Sequence, residues 1–514
     1  MRRLHYLVVS CVLLSGCFGP GEGVEVPQDQ IYFPVGLALH GRAGEKPAHL
    51  LVISSDFDLQ YNGGAVQSYD LSRFDPPAAS GDPESLLPVR CSEDQACASG
   101  VCEGGLCAPA PGETPCPQGD RADADRLLFP GRCNPIDPRT MQVGTVKIGA
   151  FATDAVLRTS PSGTAQRLFV PVRGDSTLHW LDVDDEGRLE CGQASDGACD
   201  ARHRVGDDSS ESTRNIELGP EPFAIDATEH AENIVVTNQT TGTATLFVND
   251  PQAWDAGDSP TLQFAMPLGN ALDPVGVAAV PLSAAERQLS DGVNPPDYTF
   301  MMTFRNFAQV RVFRSTADDG SSPRRPYLAD GGGVPIAINS VGSDSRGIAI
   351  DASARTQAEA ACFDDPACLQ QATLVPLDVY VANRAPSSLL IGRTQPPQQY
   401  PYFFQALPLT TGPSRVVVAR IRNANDEEET RVFVVCFESR RIFVYDPKRA
   451  RIETEILTGR GPHALAVDTE RRLLYVGHFT DSYIGVFSLD LAQPATYGTM
   501  LATLGVPKAP RSSK

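Results

Sequence analysis

The sequence predicts an all-β fold, a β-propeller of four-stranded blades, and three observations carry that reading. The stretch from Gly461 to Asp490, GPHALAVDTERRLLYVGHFTDSYIGVFSLD, holds three short apolar strands separated by polar turns. Weaker copies of it recur along most of the 514 residues. Helical periodicity is scarce, with few segments keeping apolar residues at i, i+3, i+4 and i+7 over three turns. A lone blade of this composition is apolar on both faces. It becomes stable only when neighbours stack on it, and a ring of blades leaves no exposed end.

Residues 1–16 read as an export signal. Arg2 and Arg3 supply a positive start, and Leu4 to Leu14 supply an apolar run too short to span a bilayer as a helix. The run ends in Leu14-Ser15-Gly16-Cys17, which resembles the bacterial lipobox. That resemblance implies cleavage before Cys17 and acylation of its thiol and new N-terminus, which together anchor stably where one chain would not. Phe18 stands where an Asp would imply retention at an inner membrane, so the expected location is the outer membrane of a Gram-negative bacterium, on its periplasmic or surface face. No later segment is apolar long enough to span. Residues 17–30 then form the lipidated cysteine and a tether, 31–505 the propeller, and 506–514 a disordered tail.

The repeat begins with Pro34 to Leu39, His49 to Ser54 and Ala65 to Tyr69. Unit two uses Phe151 to Leu157, Arg167 to Val172 and Thr177 to Val183; unit three runs from Pro220 to Val248. Unit four starts at Pro274-Val275-Gly276-Val277 and continues through Tyr298 to Phe304 and Ala308 to Phe313. Unit five uses Arg346 to Asp351, Leu377 to Asn383 and Ser388 to Ile391; unit six uses Pro413 to Ala419, Arg431 to Cys436 and Arg441 to Asp446. The opening stretch is the seventh. A fourth strand lies between units at Thr145 to Ile148, Leu262 to Pro267, Phe403 to Pro408, Ile452 to Leu457 and Thr499 to Leu504. Seven blades are expected, and the degenerate units two and four leave six or eight open. Ring closure also has two routes. Either Thr499 to Leu504 completes the last blade from within, or Val24 to Ile31 joins it as a latch.

Unit seven, with VVTNQTTGTATLFV in unit three and VYVANR in unit five, resembles the YVTN-type propeller repeat, related to the NHL group and found in exported bacterial proteins. The resemblance covers most of residues 33–505, with units three, five, six and seven the good matches. The Gly-His…Trp-Asp signature of the eukaryotic Trp-Asp repeat does not occur.

The chain departs from the repeat at Arg73 to Met141, between the third and fourth strands of the first blade. This insertion holds Cys91, Cys97, Cys102, Cys107, Cys116 and Cys133, and two further pairs are Cys191/Cys199 and Cys362/Cys368. Polar loops rich in cysteine suit disulfides in an oxidising compartment. A metal site would need Cys-x-x-Cys or His partners, so no metal is expected. With few large apolar residues the insertion cannot build much core, and cross-links must order it. It is expected to project from one rim, as a recognition appendage or as a protease-resistant decoration. Cys436, inside VFVVCF, reads as a buried strand residue.

The formal charge of −20 becomes −22 once Arg2 and Arg3 leave with the signal. Such an acidic body excludes nucleic acid as a partner. No Gly-x-Ser-x-Gly elbow, His-Glu-x-x-His, phosphate loop or haem-attachment motif occurs. Asp182-x-Asp184-x-Glu186-Gly187 begins like a calcium loop, but Gln193 stands where the twelfth-position Glu is needed.

The first strand of each propeller blade lines the central channel. Superposing the units places Val35, Gly149, Glu221, Val275, Arg346, Ser414 and His463 together at its mouth. Glu221, Arg346, His463 and Ser414 form a candidate site for a small polar or anionic ligand, and the same charged groups would also satisfy one another in a watery tunnel. Asn238, Asn383 and His478 coincide at the end of the second strand, where Asn shapes turns.

The leading functional reading is a non-enzymatic binding or scaffold lipoprotein that contacts protein or glycan at the cell envelope and needs no cofactor. The alternative is an enzyme using the channel, a lactonase-like hydrolase or a redox propeller. A lactonase needs metal-binding carboxylates at the mouth, where only Glu221 is well placed. A redox propeller needs aromatic platforms, and Trp180 and Trp254 are the only tryptophans.

Overall fold

The strands assemble into seven antiparallel sheets arranged as a ring of blades. The computed structural model describes residues 23–42, 45–75, 86–97, 99–107, 135–194, 196–212, 214–249, 258–271, 273–289, 296–316, 325–336, 344–363, 365–397 and 399–507. Cys17, the signal, Cys116, Cys133, Trp254 and the tail from 508 lie outside them. The innermost strands are Pro34–His40, Val156–Thr159, Pro222–Ala227, Pro274–Ala279, Ser345–Asp351, Pro413–Arg422 and Pro462–Asp468. Seven blades, each built on four strands, settle the count.

The strand periodicity explains why the ring holds. Successive side chains of a strand point to opposite faces, and here each face meets a different neighbour. In His49–Ser54, Leu50 and Val52 join the apolar cluster shared with blade seven, while Leu51 and Ile53 join the one shared with blade two. In Leu473–His478, Leu473 and Tyr475 face blade one while Leu474 and Val476 face blade six. Each of the seven blade interfaces has one such cluster. Each fully buried Leu, Ile or Val contributes about 1.5–3 kcal/mol, so the ring is held by its interfaces.

The two degenerate units are full blades with unusual outer edges. In blade two the fourth strand is split into Leu189–Glu190 and Arg204–Val205, which pair with opposite halves of Thr177–Val183. The Cys191–Cys199 disulfide lies between the two halves. Blade four ends in Tyr327–Pro335, YLADGGGVP, whose three glycines carry no strand propensity. Its backbone pairs with Gln309–Thr316 all the same.

The last blade is completed from within. Met500–Leu504 pairs with Tyr483–Ser488, whereas Val24 makes a parallel bridge to Tyr61 in blade one and is no latch. A fifth strand, Pro135–Ile136, then adds in parallel to Met500–Leu504. It comes from the connection between the third and fourth strands of blade one, so the cysteine-rich segment straps blade seven. The expectation that this segment projects from the rim is corrected for its described residues. Leu106 and Ile136 bury in the cluster between blades seven and one, and Arg90 reaches Asp490 at 2.5 Å. Disulfides Cys91–Cys102 and Cys97–Cys107 order its described part.

Cys362–Cys368 joins two short helices, Ser353–Ala360 and Pro366–Ala372, set between the first two strands of blade five. Cys436 is buried and free. No described helix is long and apolar enough to cross a membrane.

Candidate functional site

Six first strands begin the same way. A residue with left-handed backbone (Phe33, Phe151, Glu221, Asp273, Gly412 or Gly461) turns the chain inward. A bulge follows in every blade but the second, where Ala152 bridges Val172 ahead of the strand proper. The bulge increases local twist and aims side chains into the channel. Buried polar groups at the end of the second strand hold these turns. Ser54 accepts from the Tyr32 N–H, Asn238 donates to the Gly219 carbonyl at 2.6 Å, and Asn383 accepts from Ser345. His478 accepts from the Gly459 N–H at 3.2 Å and donates through Nδ1 to the Val476 carbonyl. Burial lowers its pKa to about 3, against the pull of that carbonyl.

Counting from the left-handed residue, the positions that coincide are Val35, Thr153, Phe223, Val275, Arg346, Ser414 and His463. Gly149 and Glu221 therefore do not belong to the set. The Gly219-Pro220 pair imitates Gly461-Pro462, but Glu221-Pro222 is its structural counterpart, which shifts Glu221 two residues upstream. Glu221 instead pairs with Arg173 at 2.6 Å, and Arg173 also lies over the Phe151 ring. Gly149 lines a separate hollow between blades one and two.

Arg346, Ser414 and His463 do meet, around a channel cavity of about 200 Å3 that Thr153 and Phe223 also line. Arg346 is held by Asp344 of its own blade. Ser414 donates weakly to the Val435 carbonyl at 3.4 Å. Burial, with the nearby charge of Arg415, lowers the pKa of His463 to about 3, so this ring is neutral. One position deeper, Arg415 of blade six meets Asp154 of blade two at 2.8 Å. Burial pushes the Asp154 carboxyl up, and Arg415 and the Ala155 N–H pull against that rise. The sequence reading missed both residues, because an Asp and an Arg 261 positions apart carry no local signal.

It also missed the aromatic half of the mouth. Phe33, Phe57, Phe151 and Phe479 form a chain of ring contacts at 5.0–6.0 Å, and Phe437 and His463 join it at 5.9–6.5 Å. Phe57 is half exposed. Phe437 and Phe479 each stand directly after a second strand, a position the repeat makes legible. The other half of the mouth, on blades five and six, carries Arg346 with Asp344 and Arg384 with Glu438.

At the opposite end of the ring a hollow of about 700 Å3 lies beside the helical segments, but Arg158 and Arg287 in its wall are engaged by Asp226 and Glu229. One described group of His, Cys, Asp or Glu side chains has metal-ligand spacing: Cys91, Cys97 and Cys107. All three are in disulfides, which removes their thiolates as ligands.

No family matches the sequence. No curated protein matches it either. Among solved structures the chain is similar to a periplasmic gluconolactonase of Pseudomonas aeruginosa, at 14% identity and a TM-score of 0.45 over 83% of this chain and 86% of that one. It is also similar to a hydrazine synthase of Kuenenia stuttgartiensis (9% identity, TM-score 0.45, 91% of this chain and 98% of that one). A third is virginiamycin B lyase from Staphylococcus aureus (10% identity, TM-score 0.40, 89% of this chain and 94% of that one). At these scores the likenesses carry no argument about function.

Proposed function

We propose that this protein is a cell-envelope lipoprotein of the YVTN/NHL-like propeller type, anchored through Cys17 and acting as a binding or scaffold module for protein or glycan. The observation that carries the reading is the aromatic half-ring Phe33–Phe57–Phe151–Phe479–Phe437 at the channel mouth. Aromatic clusters that reach the surface mark recognition sites. Here Phe57 is half exposed, Phe151, Phe437 and Phe479 are half-buried and Phe33 is buried beneath them, and the channel below is crossed by the Asp154–Arg415 pair. The N-terminal segment supports it. Val24 bridges Tyr61 on the same end of the ring, and the six Cα–Cα steps from Cys17 to Gly23 span at most about 22 Å. An anchored Cys17 therefore keeps this face near the membrane, which favours a partner in the same envelope layer.

The enzymatic alternative needs a metal or redox group at the mouth, and Asp154, the carboxylate on the axis, is taken by Arg415. Crosslinking in intact envelopes tests the choice. The native chain is expected to capture a defined partner, and Phe57→Glu, at the half-exposed ring, to lose it at unchanged melting temperature. A stoichiometric metal in the purified protein would overturn the scaffold reading.

A further inference from the structure

The hollow between blades one and two, on the same end of the ring, has a volume of about 610 Å3, within the range of small-ligand sites. Three residues of its wall carry a buried polar atom with no hydrogen-bond partner among the described residues: Asn62 Oδ1, His179 Nδ1 and Arg204 Nε. Native proteins rarely leave such atoms unsatisfied, since each costs about 1–3 kcal/mol. Here three gather around one cavity. His179 and Arg204 are directly opposed across paired strands, and the His179 side chain is 1% exposed.

The character of each atom is fixed by what its neighbours take. His179 Nε2 lies 3.3 Å from Asp175 Oδ2, and Thr177 donates to the other carboxylate oxygen at 2.7 Å. Burial pushes the Asp175 carboxyl up, but the His179 and Thr177 hydrogen bonds and the Arg204 charge bring it below the ordinary value. An ionised carboxylate only accepts, so Nε2 carries the proton, and a ligand hydroxyl can meet Nδ1 in either role. Asn62 donates through Nδ2 to Glu25 at 3.2 Å, which leaves Oδ1 as an acceptor. Arg204 Nε donates. Tyr61 and Phe151 add aromatic surface to the same wall. At Gly149 a Cβ would come 2.6 Å from Asp175 Oδ2, so glycine there keeps the carboxylate in place.

We infer that this hollow binds a neutral sugar. Its hydroxyls both donate and accept, which matches the Asn62 acceptor, the Arg204 donor and His179 Nδ1 in either role, and its C–H face suits an aromatic wall whose faces are electron-rich. A free carboxylate would meet the Asn62 oxygen and the Asp175 charge, and Lys147 in the same wall already faces Glu25 at 3.5 Å. The inference deepens the binding reading above and rests on it, by naming the ligand class of that face.

A glycan array carrying neutral oligosaccharides beside uronic-acid and sialylated ones, probed with the full chain, tests it. Saturable binding to neutral glycans is expected, weakened about tenfold by Asn62→Leu and by Arg204→Met, the loss of one hydrogen bond each. Added sugar should also slow amide exchange in residues 59–62 and 174–180, a readout that needs no variant. Binding confined to acidic glycans, or no binding at all, overturns the sugar site. If envelope crosslinking that depends on Phe57 persists in that case, the sugar site alone has failed; if both are lost, the binding reading has failed too.

Discussion

The Arg415 guanidinium of blade six and the Asp154 carboxylate of blade two meet at 2.8 Å inside the channel, joining two blades that share no interface. The pair is desolvated, so removing one partner strands the other. Arg415→Met is expected to cost about 3 kcal/mol, the lower end for breaking a buried pair, because Arg415 keeps a quarter of its side chain exposed. Adding Asp154→Asn should recover most of that loss. Urea unfolding of the single and double variants measures it, and a double variant no more stable than Arg415→Met would show that the pair is not coupled.

His478 sets a pH dependence. The ring is fully buried, stacks on Tyr483 at 4.1 Å, and has its pKa lowered from 6.5 to about 3, chiefly by burial. The unfolded chain takes up this proton near pH 6.5 and the folded one only near 3, so stability is full above 6.5 and falls as the pH drops through that window. At about 1.4 kcal/mol per unit, the loss at pH 4 is on the order of a few kcal/mol. His478→Asn, the residue that blades three and five use here, should flatten the slope between pH 7 and pH 4 in denaturant titrations. An unchanged slope would assign the acid sensitivity to other groups, such as His463.

Blade count and strand order were legible because each strand is short, β-branched or aromatic, and bounded by turn residues. Tyr327–Pro335 was not, since YLADGGGVP is held by its ladder to Gln309–Thr316 and has no propensity of its own. Arg346, Ser414 and His463 line one cavity, a position that counting within the repeat makes legible. Glu221 was not legible in this way, because the Gly219-Pro220 pair sits two residues before the true turn at Glu221-Pro222. Asp154–Arg415 and the contacts of Phe57 with Phe151 and Phe479 arise only when the ring closes, so no local pattern encodes them.

Close packing of the first strands makes a glycine prediction. At Gly276 a Cβ would lie 2.2 Å from the Arg346 carbonyl oxygen, and at Gly347 it would lie 2.8 Å from the Val416 nitrogen. Backbone atoms of a neighbouring blade cannot rotate away. Gly276→Ala and Gly347→Ala should each cost about 1–3 kcal/mol, as overpacking does. Gly144→Ala, whose Cβ would find its nearest neighbour at 3.5 Å, should be close to neutral. Thermal unfolding of the three variants compares them directly. Equal melting temperatures would mean that the blades can slide apart at the axis.

The strap over blade seven should protect the ring at its closure. Met500–Leu504 is the outermost of that blade's four strands, and without Pro135–Ile136 it would present unpaired backbone groups. Leu106, 2% exposed, lies in the cluster between blades seven and one, with the Cys97–Cys107 disulfide beside it. Leu106→Ala removes most of that side chain and should cost about 2–5 kcal/mol if the site stays open. The effect is expected to fall locally, as faster amide exchange in residues 500–504 and 483–488, with exchange in blades three to five unchanged. Faster exchange spread evenly around the ring would instead mean that the strap contributes to global stability and has no special role at the seam.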